Sequence, residues 1–200
     1  MLILGLTGNI GCGKSSLSNI FKDNNMKIID ADIISRQIFE DRDVLQSVFN
    51  HFGDSIKNDD NTLNRKVLGS IVFNDDKKLI ELNELTHPQI YMKIVNQIQK
   101  YKSMGEEIVV IDAALLIEGG YLDIIDKLIV VICNKEEQIR RVQYRDKCSI
   151  EEAKSRIDSQ MKQEEKIKFA DYVIDNSGDI NKLKLEAEKF IEYVKVNWFE

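Results

Sequence analysis

The chain has 200 residues, 43% hydrophobic and 31% charged, with 34 acidic against 28 basic side chains and a net charge of −6. That balance suits one globular domain with a sizeable core, and an acidic chain has no general attraction for nucleic acid or for anionic membranes. No apolar run approaches the ~18 residues of a membrane span, and two distant histidines with scattered Cys12, Cys133 and Cys148 give neither a metal pair nor a disulfide framework, so a reducing, cytoplasmic setting is expected.

The first element is an apolar strand at residues 2–6, read as a strand because no charged leader precedes it. It runs into Gly8-Asn9-Ile10-Gly11-Cys12-Gly13-Lys14-Ser15, which matches G-x-x-x-x-G-K-[ST] at every fixed position. Glycines let backbone N–H groups turn inward around a phosphate, and a helix N-terminus adds partial positive charge. Lys14 then reaches the β- and γ-phosphates and the Ser15 hydroxyl suits Mg²⁺. A helix carrying Leu17, Ile20 and Phe21 follows and ends near Asn24-Asn25.

Lys27-Ile28-Ile29 reads as a second strand ending in Asp30-Ala31-Asp32. Ligands of open α/β sheets gather at the carboxyl ends of strands, which gives Asp32 a place in the chemistry. Asp32 also suits the N-cap of the next helix, and the two roles are compatible. From about 40 to 107 the pattern is helical and irregular, too long for a simple crossover, and is expected to form an acceptor lobe. Within it Val44, Leu45, Val48, Phe49 and Phe52 mark an amphipathic helix closed by Gly53. The only proline follows Thr86-His87, and the spacing predicts a helix start there with Pro88 in the first turn.

Ile108-Val109-Val110-Ile111-Asp112 fits the pattern of four apolar residues and an aspartate that helps hold Mg²⁺. Residues 128–132 and 172–174 complete five buried strands. Apolar runs alternating with helices predict an α/β, three-layer P-loop fold with a parallel sheet. Four of the seven arginines, Arg140, Arg141, Arg145 and Arg156, fall between the last two strands. Ser149 and Glu152 have capping-box spacing, so Arg145 and Asp146 stand at a bend between two helices, as on a lid at about 140–165. Arg140 and Arg156 suit a solvated face with acidic partners. Arg141 and Arg145 suit phosphate contact. The stretch from Ile180 to Trp198 is an amphipathic helix without chemistry.

Three functions fit a phosphate loop. A switch GTPase is disfavoured because Asp112-Ala113-Ala114-Leu115 lacks the glycine of D-x-x-G, and Asn134-Lys135-Glu136-Glu137 lacks the final aspartate of a guanine reader. A regulatory ATPase needs a docking surface that the sequence does not display. A small-molecule kinase needs an acceptor lobe and a lid to exclude water, and both are visible.

Several segments together resemble the dephospho-CoA kinase family over nearly the whole chain. They are residues 6–15 around the loop, Asp30-Ala31-Asp32 leading to Arg36, Leu63-Asn64-Arg65, His87-Pro88, Leu115-Leu116-Ile117-Glu118, Arg141 with Tyr144-Arg145-Asp146, Gln160, and Ala170-Asp171-Tyr172-Val173-Ile174-Asp175-Asn176. The family usually has proline where Ala114 stands, and often serine and threonine where Cys12 and Ser16 stand. A related kinase acting on a nucleoside monophosphate is the alternative.

The resemblance implies transfer of the ATP γ-phosphoryl group to the ribose 3′-hydroxyl of dephospho-CoA, with Mg²⁺; a monomer is expected. It implies ATP contacts from Gly8 through Ser16 and from Arg141, Mg²⁺ on Ser15 and Asp112, and catalysis by Lys14, Asp32 and Arg145. Asp32, Arg65, His87 and Glu118 would meet the acceptor, although His87 equally suits a structural place before Pro88. Cys12, beside a helix N-terminus and Lys14, is expected to have a lowered thiol pKa and to act as a redox-sensitive brake on ATP binding; the plain alternative is a small residue filling a serine's place.

Overall fold

The computed structural model describes residues 1–198, and the chain divides into two compact units. The first comprises Met1–Asp30 and the chain from Gln97 onward; the second is Ala31–Asn96. Five strands lie in the first unit: β1 (Leu2–Gly8), β2 (Lys27–Asp30), β3 (Ile108–Asp112), β4 (Lys127–Ile132) and β5 (Tyr172–Asp175). Their order is β2-β3-β1-β4-β5 and every pairing is parallel, as the apolar runs predicted. Leu6 and Asp30 both pair with Asp112, while Gly8 pairs with Val131. The register therefore brings the acid of β3 level with the end of β1.

The helices are α1 (Lys14–Asp23), α2 (Ala31–Gln37), α3 (Arg42–Phe52), α4 (Arg65–Val72), α5 (Asp76–Ser103), α6 (Lys135–Asp146), α7 (Ile150–Asp158), α8 (Gln163–Ile167) and α9 (Ile180–Asn197). On one face of the sheet, Leu4, Leu6, Val110, Ile129 and Val131 meet Leu17 and Phe21 of α1 and Ala187, Phe190 and Val194 of α9. These side chains alternate along each strand and recur every three or four residues along each helix, the periods that put them on one surface. Phe190 is fully buried, with its ring centroid 5.4 Å from that of Phe21 and 4.9 Å from that of Tyr172.

The second unit is helical. Val48, Phe49, Ile56, Leu68 and Val72 form its centre, with Phe52, Leu63, Leu79 and Leu82 against them. Asp41 caps α3 by accepting from the Asp43 N–H, and Asn64 caps α4 by accepting from the Val67 N–H. This unit and the insertion expected at about 40–107 overlap without coinciding, since it takes in α2 and ends inside α5.

Two local expectations need correction. No helix starts at Thr86–Pro88: α5 runs unbroken from Asp76 to Ser103 with Pro88 inside it. Pro88 has no N–H to give the carbonyl four residues back. The apolar stripe on its far side, with Ile90, Ile94 and Ile98 all buried, keeps the helix going. Asp32 lies within the first turn of α2, which already begins at Ala31, and so does not cap it.

Candidate active site

The loop between β1 and α1 is built from constraints that only glycine meets at two points. Gly11 and Gly13 have φ of 82° and 87°, the left-handed region that side chains disfavour. Gly8 lies against β4 so closely that a Cβ there would come within 2.7 Å of the Val131 carbonyl oxygen. Gly13 leads into α1, whose first N–H groups have no intrahelical acceptor and point at the loop. The N–H of Ile10 donates to Gln160 Oε1 at 2.8 Å and that of Cys12 to the Asn9 carbonyl at 3.0 Å. These two amides shape the loop. Ser15 and Ser16 follow on the exposed side of the first turn.

Lys14 forms an ion pair with Asp112, which is 3% exposed at the end of β3. Burial pushes the Asp112 carboxyl above its usual range, the charge of Asp30 adds to this, and Lys14 with the Ser18 hydroxyl opposes it. The sheet thus places an ammonium, a carboxylate and the leading turn of α1 at one strand end.

Beside them is a cleft of about 270 Å³ lined by Gly13, Ser16, Arg141, Asn176, Gly178 and Asp179, among others. Arg141 enters it from α6. Its Nε donates to Glu137 Oε1 at 2.8 Å and its Nη2 to the Gly178 carbonyl at 2.8 Å. Its Nη1 is buried with no hydrogen-bond partner among the described residues. An ionised donor left unpaired in a buried place is costly unless an anion completes it. Asn176 closes the same wall, with Nδ2 donating to the Cys12 carbonyl at 2.8 Å.

Of the other expected residues, Arg145 is exposed at the end of α6 and pairs with Asp146 at 2.6 Å. Asp146 also takes Arg156 at 2.6 Å, so both arginines share one carboxylate. The expected pairing of Arg140 with an acid is present, to Glu137 at 2.6 Å. The Ser149–Glu152 capping box is present too. Glu118 lies 2.9 Å from Nζ of Lys166, a lysine with no exposed surface whose ammonium also donates to the Ala114 carbonyl at 2.9 Å.

Asp32, Arg65 and His87 belong to the second unit. Arg65 donates to the Arg36 carbonyl at 2.6 Å and stacks its guanidinium 5.1 Å from the centre of the Phe39 ring. His87 is half-buried in the middle of α5, and burial lowers its pKa.

The expected acidity of the Cys12 thiol is overturned. Cys12 is fully buried, and its thiol pKa is raised rather than lowered, through pairing with Cys133 and through burial. Cys133, in contrast, is the more acidic thiol. The pair is invisible in the sequence because 121 positions separate its members.

A profile of the dephospho-CoA kinase family matches residues 2–182. The chain belongs to the dephospho-CoA kinase family. The dephospho-CoA kinase of Lactobacillus johnsonii (strain CNCM I-12250 / La1 / NCC 533) is 41% identical over 192 residues, covering 96% of this chain and 97% of that one. The solved structure of the dephospho-CoA kinase from Campylobacter jejuni is 34% identical, with a TM-score of 0.74 over 98% of each chain. A shikimate kinase from Acinetobacter baumannii, solved in complex with shikimate, covers 100% of this chain and 96% of that one at 13% identity and a TM-score of 0.58, which shows the fold alone. The protein is therefore a kinase of α/β P-loop architecture within the dephospho-CoA kinase family.

Sequence reasoning missed three residues that fix the loops at the carboxyl ends of β1, β3 and β4. Gln138 Nε2 donates to the Ile10 carbonyl at 2.8 Å, Gln163 bridges both cysteines, and Lys166 anchors Ala114. Gln138 is the exception in having a signal, since a polar residue on the inner face of α6 is out of place unless it has a partner. Gln163 and Lys166 sit in a short polar helix and carry none.

Proposed function

We propose that the protein transfers the γ-phosphoryl group of ATP to the ribose 3′-hydroxyl of dephospho-CoA, giving CoA and ADP. One observation carries this reading: a single family match spans the phosphate loop, the Asp30-Ala31-Asp32 triplet and the run into Asn176. The donor half is supported by Lys14 and Asp112 beneath Gly8–Ser15 and by the unpaired buried Nη1 of Arg141.

Phosphoryl transfer is mostly positioning and charge stabilisation, because its transition state is loose. The loop from Gly8 to Ser16, with Lys14, holds the β- and γ-phosphates, and Arg141 meets the nucleotide with its remaining N–H groups. Ser15 and Asp112 offer a hydroxyl and a carboxylate, an all-oxygen set that fits Mg²⁺, which takes one or two protein ligands and keeps its waters. A bound Mg²⁺ would supply positive charge to offset that of the phosphates. Lys14 would leave the Asp112 carboxylate for the phosphates, which would free that carboxylate to hold the ion.

Asp32 orients the acceptor hydroxyl. A carboxylate with a pKa near ~4 is a poor base for a sugar hydroxyl, so it accepts the proton late, as the P–O bond forms. Arg145 closes over the phosphates after leaving Asp146. Arg65, His87 and Glu118 contact the acceptor, and residues 140–165 act as the lid. The reading extends to a cytoplasmic monomer with no nucleic-acid or membrane partner; no helix among the described residues is long and apolar enough to cross a membrane.

The test is purified protein with ATP and Mg²⁺ against dephospho-CoA, adenosine monophosphate and shikimate, following ADP release. The site of phosphorylation is read by phosphorus NMR of the product. ADP release only with dephospho-CoA, and a 3′-phosphate in the product, is expected. Release without acceptor would favour an ATPase, and preference for a nucleoside monophosphate would overturn the acceptor assignment.

A further inference from the structure

Cys12 and Cys133 lie with their sulfur atoms 3.3 Å apart. Cys12 sits inside the phosphate loop between two left-handed glycines, and Cys133 is the first residue after β4. Neither thiol is free to swing away. The Gln163 side chain clamps the pair, its Oε1 accepting from the Cys133 N–H at 2.9 Å and from Cys12 Sγ at 3.2 Å, while its Nε2 donates to the Cys133 carbonyl at 3.1 Å. A disulfide needs about 2.0 Å between sulfurs, so a small approach would join them.

The two thiols differ in access and in acidity. Cys133 lines a second cleft, of about 840 Å³, with Asn9, Asn134, Gln138, Gln160 and Lys162, so a small oxidant has a route to it. Cys133 Sγ donates toward Cys12 Sγ while the Cys12 S–H is given to Gln163, and pairing with Cys12, then the charge of Arg141, hold the Cys133 thiol below its usual range against the opposing effect of burial. Cys12 has no exposed surface and keeps its proton. One sulfur is thus suited to attack and the other to resolve.

We propose that Cys12 and Cys133 form a reversible disulfide that ties the phosphate loop to the end of β4 and weakens nucleotide binding.

With a peroxide as oxidant the chemistry closes. The Cys133 thiolate attacks one peroxide oxygen, the O–O bond breaks, and the departing hydroxide leaves as water with a proton from solvent. Cys12 sulfur then attacks the sulfur of the resulting sulfenic acid. The S–O bond breaks, and the second hydroxide takes the Cys12 proton and leaves as water. Two thiols lose two electrons and one peroxide becomes two waters. An added dithiol reverses the bond by exchange. Drawing Cys12 toward β4 displaces the segment between Gly11 and Gly13, together with the carbonyl that holds Asn176, and so distorts the cradle for the phosphates.

The bond is read independently of the kinase assignment, by mass; only its consequence rests on Gly8–Ser15 being a nucleotide site. The full chain is treated with hydrogen peroxide, alkylated under denaturing conditions, and analysed by intact mass and peptide mapping. The expected result is loss of two hydrogen atoms, alkylation at Cys148 alone and a Cys12–Cys133 peptide. ADP affinity by calorimetry falls about tenfold and returns with dithiothreitol, and by reciprocity bound ADP slows bond formation. Cys133→Ser binds ADP equally with and without peroxide. Free alkylatable Cys12 and Cys133 after treatment, added oxygen atoms in place of the bond, or a Cys12–Cys133 bond with unchanged ADP affinity would each overturn the proposal.

Discussion

Glu137 Oε1 receives the Nε–H of Arg141 at 2.8 Å, one helical turn along α6, while the Gly178 carbonyl takes Nη2 at the same distance. Two of the guanidinium's nitrogens are thereby fixed before any ligand arrives, and the third is aimed beside Gly13 with nothing to accept from it among the described residues. A fixed planar fork loses little freedom on binding an anion, which is why arginine and lysine are not equivalent here.

Replacing Arg141 by lysine keeps the charge and removes the fork. A hydrogen bond to a charged group contributes about 1.5–3 kcal/mol, so ATP affinity is expected to fall by roughly ten- to a hundredfold. Calorimetric titration with ATP measures this directly. Unchanged affinity would reduce Arg141 to a structural brace between α6 and Gly178.

The same pair makes stability depend on acid. Arg140, then Arg141, hold the Glu137 carboxyl down at about 2. Its folded pKa is depressed, so the folded state binds fewer protons than the unfolded chain in this window, and the contribution is present above the unfolded carboxylate value of about 4.5 and lost as pH falls toward about 2. Glu137→Gln should therefore melt below the wild type at neutral pH and converge with it toward pH 2. Melting curves across that range check it; a constant gap would show that the loss is not ionic.

Lys166 has no exposed surface and serves both Glu118 and the Ala114 carbonyl. Lys166→Met leaves that carbonyl short of one donor, although the Thr7 hydroxyl still reaches it at 3.0 Å. The expected loss is about 1–3 kcal/mol of unfolding free energy, read by urea denaturation. Pairing it with Glu118→Gln in a double-mutant cycle should give a clear coupling, and additivity would deny the ion pair any energetic role.

Asp32→Asn keeps size and hydrogen bonding while removing the carboxylate proposed to accept the hydroxyl proton. Turnover should drop about a hundredfold or more with ATP affinity unaltered, the range for a positioned proton acceptor. Near-normal turnover would strike Asp32 from the catalytic group.

Phe190→Ala tests the packing beneath the loop. The ring is fully buried between Phe21 and Tyr172, and truncation of a buried phenylalanine costs about 3–5 kcal/mol. Denaturant titration would show it as a lower midpoint with little change in slope.

The sheet and the loop were readable because their signals are local. Five apolar runs, the glycine spacing and the Ser149 cap each lie within a dozen residues, and each reappears in the structure. Where reading failed, the deciding interaction was distant or the local rule was outweighed. Gln163 meets Cys133 from 30 positions away and Lys166 meets Glu118 from 48, with no periodicity to announce either. Pro88 is the other kind of failure. Its preference for a first turn is real, but one missing hydrogen bond is a small loss beside the buried stripe that continues through Ile90 and Ile94. The thiol of Cys12 was misjudged because a helix N-terminus favours a thiolate only if water or charge reaches it; burial and a neighbouring sulfur reverse the sign.

The strand order has a consequence for biogenesis. β1 is made first, yet its neighbours are β3 and β4, and Leu2 waits for Ile108 while Leu4 waits for Lys127. During synthesis an apolar edge with no partner strand therefore persists until Ile108–Asp112 has been made. Such non-local pairing carries the loop-closure cost that slows folding. The loop after β1 is thus made well before the strands that flank it, so a nascent chain cannot complete the nucleotide cradle until β3 and β4 have both left the ribosome.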